Sequence, residues 1–249
     1  SNQQERQIGK GVDKELRKEY RLVSSSDPAA KWAQEFIVPL EKASEQFRDP
    51  EDIEGYKVAV IADNDLVNAF AAPGGYTYIS TGLILQSEDC AEIAGVMGHE
   101  LAHVTQRHGA KSIEQSFAVQ QIVEFFLDDG LAHDSAIVLF NFLQSTKFSR
   151  EDESESDSVG LQISHDAGYD PVGLADFFGK LLKMGGSDVP EFLSSHPATS
   201  SRISSVKAQI KDRYGSKTTG SRKCLTSMSL SDLKKHIKSG DMKLSAKSK

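Results

Sequence analysis

The chain has 249 residues, enough for one large domain or two small ones with a real hydrophobic core. Its 38% hydrophobic and 26% charged content is ordinary for a soluble globular protein, and its net charge of −7 argues against nucleic acid as a main partner. No run approaches the roughly 18 apolar residues needed to span a membrane. Two cysteines, Cys90 and Cys224, are too few for a disulfide framework; they form one bridge or remain two buried thiols. The chain begins Ser1-Asn2 rather than with methionine, as a trimmed chain does.

Ile8, Val12, Leu16 and Tyr20 recur at helical spacing and predict a first helix over 5–20. Asp27 can cap a second helix whose first turn takes Pro28 and whose buried face carries Trp32, Phe36, Ile37 and Leu40. That helix is expected to bend or restart near Pro39. The β-branched stretch from Tyr56 to Ala62 and the stretch from Tyr76 to Ser80 read as strands, with a turn at Pro73-Gly74-Gly75. They make a small sheet of three or four strands in a mainly α-helical, α+β chain. The strand next to the following helix is either an open edge for an extended peptide or an internal strand.

That following helix carries the most specific pattern in the chain. Asp89-Cys90-Ala91-Glu92 has the capping-box form, and Ile93, Ala94, Val96, Met97, Leu101 and Val104 supply an apolar stripe. Within it lies His99-Glu100-Leu101-Ala102-His103. Histidines four apart share one face of a helix and can reach one metal ion, and Glu100 sits beside that face where it can take a proton from water. The helix is expected to stop at Arg107-His108-Gly109 with Gly109 as the left-handed cap. His108 then falls in the frayed end, exposed and not a ligand.

Residues 112–145 hold two apolar segments, Phe117 to Leu127 and Ala136 to Leu143, joined by Asp128-Asp129-Gly130. They read as a helical hairpin packed over the domain, with contact to a membrane surface as the rival reading. From Arg150 to Asp157 five carboxylates crowd into seven residues, and like-charge i,i+4 pairs cost helix stability. Either this is a solvated acidic face, or it supplies the further ligand a two-histidine zinc site needs. Helices follow from Pro171 through Leu181 and from Ser200 to Tyr214, with Met184-Gly185-Gly186 ending the first of them in a loop. Residues 216–249 carry nine Lys/Arg against two acids, +7 against −14 for residues 1–215. This basic extension either docks on the acidic body or a partner or, as expected here, is solvated, with a short helix at 231–238 and a disordered end from Gly240.

Four separated motifs are together similar to one family. They are Asn68-Ala69-Phe70 with Pro73-Gly74-Gly75 and Thr81-Gly82-Leu83; His99 to His103; Ser149-Arg150 with Glu153, Glu155 and Asp157; and His196-Pro197 with Arg202-Ile203. In these the chain resembles the zinc endopeptidases that include HtpX, Oma and the CAAX prenyl proteases, and within them a soluble, periplasmic bacterial branch. The resemblance covers about residues 5 to 210 and implies a metallopeptidase domain over 1–215 with the zincin (gluzincin) fold. It implies one zinc ion held by His99, His103 and Glu153, with Asp157 supporting a ligand histidine. Glu100, His196 and Arg202 become the catalytic set, Glu100 as base and the other two as oxyanion stabilisers, or His196 as a closing fourth ligand. Asn68, Ala69, Phe70, Gly75 and Tyr76 fall on the substrate side. Ser156 stands where the family usually has alanine and Cys90 where an acid is common, both expected to lie away from the chemistry. The implied activity is hydrolysis of proteins or unfolded polypeptides in quality control; the alternative is a chaperone-like or self-inhibited zinc module.

Overall fold

A computed structural model describes residues 1–117, 133–184, 190–215 and 220–246. The helices in chain order are α1 (Asn2–Glu19), α2 (Pro28–Ser44), α3 (Thr81–Gln86), α4 (Cys90–Thr105), α5 (His108–Ser116) and α6 (His133–Ser145). After them come α7 (Arg150–Asp166), α8 (Gly173–Lys183), α9 (Glu191–Ser195), α10 (Ser200–Tyr214) and α11 (Leu230–Ser239). The strands are β1 (Lys57–Ile61), β2 (Ala69–Ala72) and β3 (Tyr76–Ser80). Apart from Phe117, the first apolar segment of the expected hairpin, together with its Asp128-Asp129-Gly130 turn and the Gly185-Gly186 loop, lies outside the described residues. Among the described residues no helix is long and apolar enough to cross a membrane.

The sheet has the order β1-β3-β2, with β1 parallel and β2 antiparallel to β3. Its period-2 alternation separates two cores. Val60 and Ile79 face a large cluster that α2 enters with Trp32, Phe36 and Leu40, α4 with Ile93, Val96 and Leu101, and α8 with Leu174, Phe177 and Phe178. Ile61 and Tyr78 face the other way, toward Ile8, Val12 and Leu16 of α1 and Leu139 and Phe140 of α6. The described half of the apolar 112–145 region is thus packed on α1. Pro39 does not restart α2, which runs unbroken from Pro28 to Ser44. Asp27 caps it through the Ala29 amide at 2.8 Å, and buried residues on both sides of the proline hold the helix against the core.

The two ends of the chain meet the ends of α4. At the C-terminal end Arg107, not Gly109, takes the left-handed conformation, with φ of 61°. The buried carboxylate of Glu5 fixes that turn: it accepts from Arg107 Nε at 2.5 Å and Arg48 Nη1 at 2.8 Å, while Arg48 also donates to the carbonyl of Val104 at 3.1 Å. At the N-terminal end the expectation of a solvated basic tail is overturned. Cys224 is disulfide-bonded to Cys90, and the Cys90 amide donates to Arg222 O at 3.0 Å. Arg222 pairs with Asp89 at 2.6 Å and Asp176 at 2.9 Å. The helix α11 buries Leu233 and Ile237. Beyond Gly240 the chain is not free: Lys243 N and His236 Nε2 reach Asp27 at 2.7 and 2.8 Å, and the Ser245 amide bonds Leu22 O at 2.9 Å.

Two measurements test this fastening. Reducing the disulfide, or replacing both cysteines by alanine, is expected to lower the unfolding free energy in urea by about 2–4 kcal/mol, since the bridge closes a loop of 134 residues. Asp27 should give stability an acid limb. Burial opposes ionisation there, yet the amides of Ala29 and Lys243 and the ring of His236 together hold its carboxyl below the ordinary value. Its contribution is therefore complete above the unfolded aspartate value of about 4 and lost as pH falls through the lower folded value. Protection of the Ser245 amide from exchange should fall over that range, and Asp27→Asn should flatten the dependence.

Candidate metal centre and peptide cleft

The centre is built where α4 crosses α7. Asp89 starts α4 by accepting from the amides of Ala91 and Glu92 at 3.0 and 3.1 Å. Ser149 starts α7 in a reciprocal capping box with Asp152, and Glu151, Asp152 and Glu153 lie in the first turn, where the helix dipole favours anions. The helices touch backbone to backbone. A methyl group added at Gly160 would lie 2.6 Å from His99 N, and one at Gly98 would lie 2.7 Å from Gly160 O. That crossing sets His99 and His103 opposite Glu153 and Asp157.

His99, His103, Glu153 and His196 are all buried and bring one ligand-type atom each within 4.8 Å of one another. His99 Nε2 lies 3.1 Å from His103 Nε2 and 3.2 Å from His196 Nδ1, and His196 Nδ1 lies 2.9 Å from Glu153 Oε1. Burial pushes His103 well below its usual pKa, so it stands neutral. Burial opposes ionisation of Glu153, but His196, His103 and His99 hold its carboxyl far below the usual range. A neutral imidazole and a carboxylate are the ligating forms, and three imidazole nitrogens with one carboxylate oxygen converging on one point suit a zinc ion.

Behind these groups stands a supporting layer. Asp157 Oδ1 is 3.0 Å from His99 Nδ1, which directs the lone pair of Nε2 into the cluster. Arg202 lies behind the carboxylates and not over the cleft: it forks onto Asp157 at 2.8 and 2.7 Å, reaches Glu153 Oε2 at 2.7 Å and donates to Pro197 O at 3.0 Å. Its guanidinium also sits 4.6 Å over the ring of Phe178. With its donors so used, Arg202 clamps the carboxylates of Asp157 and Glu153 together. His108 corrects a second expectation. It is buried at 1% exposure, with Nδ1 3.0 Å from His103 Nδ1, because the left-handed turn at Arg107 folds it back under the His103 ring. The His-Glu-x-x-His spacing held no sign of this, since five residues along a straight helix puts a side chain roughly 140° away. Nor are Ser156 and Cys90 idle: Ser156 Oγ is 3.2 Å from His108 Nδ1, and Cys90 carries the disulfide.

On the other side of the centre a cleft is lined by Asn68, Phe70, Ala71 and Ala72 of the β2 region, Glu100, Phe140 and Leu143 of α6, Phe148 and His196. β2 is at the edge of the sheet. Glu100 Oε1 is buried without a hydrogen-bond donor, 3.4 Å from His196 Nε2, and burial raises its carboxyl above the ordinary value against the pull of His196 and His99. Asn68 Oδ1 is likewise buried and unpaired. Three expected substrate-side residues do not line this cleft. Ala69 packs into the core. Gly75 is buried in the turn after β2, where φ of 78° suits glycine. Tyr76, pairing with Lys57 across the sheet, faces a separate surface beside Arg6 and Lys10.

Ligand-type groups drawn from separate helices around a buried glutamate, beside an open strand edge, place the chain in the class of metallopeptidases. The sequence profile of peptidase family M48 matches residues 31–210, and the chain belongs to that family. It is 33% identical over 213 residues to the mitochondrial metalloendopeptidase OMA1 of Arabidopsis thaliana, covering 80% of this chain and 43% of that protein. It is 31% identical over 160 residues to the beta-barrel assembly-enhancing protease of Escherichia coli K12, covering 59% of this chain and 33% of that one. OMA1 of Schizosaccharomyces pombe is 31% identical over 156 residues, 58% of this chain and 45% of its own length. The chain spans less than half the length of these relatives.

The helix crossing can be tested directly. Gly160→Ala gains helix propensity worth about 1 kcal/mol, but its methyl meets backbone, which no rotamer change relieves. Overpacking costs about 1–3 kcal/mol and should win, lowering urea stability and weakening zinc binding together. Gly179→Ala on α8 meets nothing within 4 Å and should instead stabilise by about 0.5–1 kcal/mol.

Proposed function

We propose that the chain is a zinc-dependent metalloendopeptidase that takes proteins or unfolded polypeptides as extended segments along the β2 edge. The observation that carries this reading is the convergence of His99, His103 and Glu153 beside the cleft-facing carboxylate of Glu100, whose Oε1 is buried without a hydrogen-bond donor. His99, His103 and Glu153 would hold the ion, which when bound supplies Lewis acidity toward a substrate carbonyl and acidifies water. The chain's own residues do the rest. Glu100, whose proton affinity is raised by burial, takes a proton from the attacking water and passes it to the leaving amine. Asn68 Oδ1 accepts from a substrate amide, the β2 edge aligns the peptide backbone, and Phe70, Phe140, Leu143 and Phe148 receive an apolar side chain. Asp157 and Arg202 keep the ligands in register. The disulfide favours an oxidising compartment, for which we propose the periplasm or another exported location.

His196 supports a second reading of the same site. Its Nδ1 stands among the ligand atoms, 2.9 Å from Glu153 Oε1, so it can close the fourth position and hold the peptidase in a self-inhibited, chaperone-like state. Removal of a closing ligand should raise cleavage, whereas removal of an oxyanion donor should lower it. His196→Ala is expected to raise kcat/KM on a long apolar-rich peptide; a fall would make His196 a donor to the oxyanion. Glu100→Gln should cut kcat by about 10²–10⁴-fold with zinc still bound stoichiometrically. Full activity in that variant would remove Glu100 as the base.

A further inference from the structure

His108 lies next to the metal centre but outside the set of converging ligand atoms, and both of its ring nitrogens are engaged. Nδ1 faces Nδ1 of His103 at 3.0 Å, with Ser156 Oγ beside it at 3.2 Å. Nε2 faces two carboxylates of α7, Glu155 Oε2 at 3.0 Å and Asp152 Oδ1 at 3.4 Å. Two ring nitrogens at such a distance attract only if one carries a proton and the other a lone pair. The carboxylates accept, so the proton of a neutral His108 sits on Nε2 and its Nδ1 is the acceptor. His103 must then carry its proton on Nδ1. Its Nε2 is left with a lone pair, and that is the atom turned toward His99 Nε2 at 3.1 Å and Glu153 Oε1 at 3.4 Å.

We infer that His108 is a positioning residue for metal binding: a relay from Glu155 and Asp152 through His108 sets the tautomer and orientation of His103, as Asp157 does for His99. The inference rests on the reading of His103 as a zinc ligand. The backbone is arranged for it. Arg107 is one of two non-glycine residues with positive φ among the described residues, and its side chain is tied to buried Glu5 at 2.5 Å. Phe148 stacks on a face of the His103 ring, with centroids 4.2 Å apart, while His108 meets the ring edge-on, so the ring is held at a face and at an edge. The bland alternative is that His108 only fills space. A ring of similar size would then serve as well.

The test is zinc affinity in the Glu100→Gln background, where proteolysis cannot interfere, measured by competition with a chromophoric chelator. His108→Phe keeps the bulk but removes the acceptor, and it should weaken zinc binding about 10–100-fold. His108→Asn offers an oxygen near the position of Nδ1 and should recover most of that loss. Nitrogen-15 spectra of the zinc-loaded protein should show His108 as the Nε2–H tautomer and His103 as Nδ1–H. Zinc binding by His108→Phe equal to the parent's, an Asn variant as weak as Phe, or the opposite tautomer at His108 would overturn the inference. If His108→Phe does not fold, the Asn variant's affinity and the parent's spectra decide. A parent that binds no zinc would bring down the ligand reading and this inference together, whereas normal parent binding with an unaffected Phe variant fells only the inference.

Discussion

Everything at this centre depends on two helices being allowed to touch. Gly160 lies against the backbone of His99 and Gly98 against the backbone of Gly160. Side chains of any size at this crossing would separate α4 from α7, and the ligand-type atoms now within 4.8 Å would no longer meet one ion. A zinc–nitrogen or zinc–oxygen bond of about 2 Å leaves little tolerance. The closeness of the backbones, more than any one side chain, is what makes the site a site.

Given that crossing, the acidic run on α7 resolves into separate assignments. As a solvated face it would carry only repulsion between like charges four apart. In the fold Glu153 and Asp157 turn toward the histidines and Arg202, while Asp152 and Glu155 turn toward His108. Each of these four carboxylates thus meets a nitrogen that can hold a proton or a positive charge, while Glu151 stays exposed on the surface. Arg202 matters because Glu153 and Asp157 are buried one helical turn apart, and a guanidinium forked between them offsets a repulsion that low dielectric would magnify.

What could be read from residues alone was whatever is local. The paired histidines of α4, the Asp89 and Asp27 caps, the strand from Tyr76 to Ser80 and the helix from Ser200 to Tyr214 each follow from spacing or a cap, and each is found. What could not be read depends on contacts between distant segments. His108 reads as a frayed end because helical periodicity has no way to foresee a left-handed arginine, and that arginine is held by Glu5, 102 residues earlier. The resemblance puts Tyr76 and Gly75 on the substrate side, but the turn between β2 and β3 carries them to the end of the sheet away from Asn68. Pairing of Cys90 with Cys224 spans 134 residues and has no local signature.

The charge asymmetry of the chain takes on a different meaning in this light. A basic segment after an acidic body reads as a solvated tail, yet the described part of this one is docked on the acidic body itself. Arg222 meets Asp89 and Asp176, the Lys243 amide and His236 meet Asp27, and Lys234 reaches the carbonyl of Ser87 just before α4. The segment therefore grips the N-terminal end of the helix that carries His99 and His103, while Glu5 and Arg48 grip its C-terminal end through Arg107 and Val104. A helix held at one end alone can pivot; held at both, it can only turn about its own axis, and the glycine crossing with α7 opposes that. The extremities of the sequence are spent on keeping still the one helix whose side chains must be placed to within fractions of an ångström.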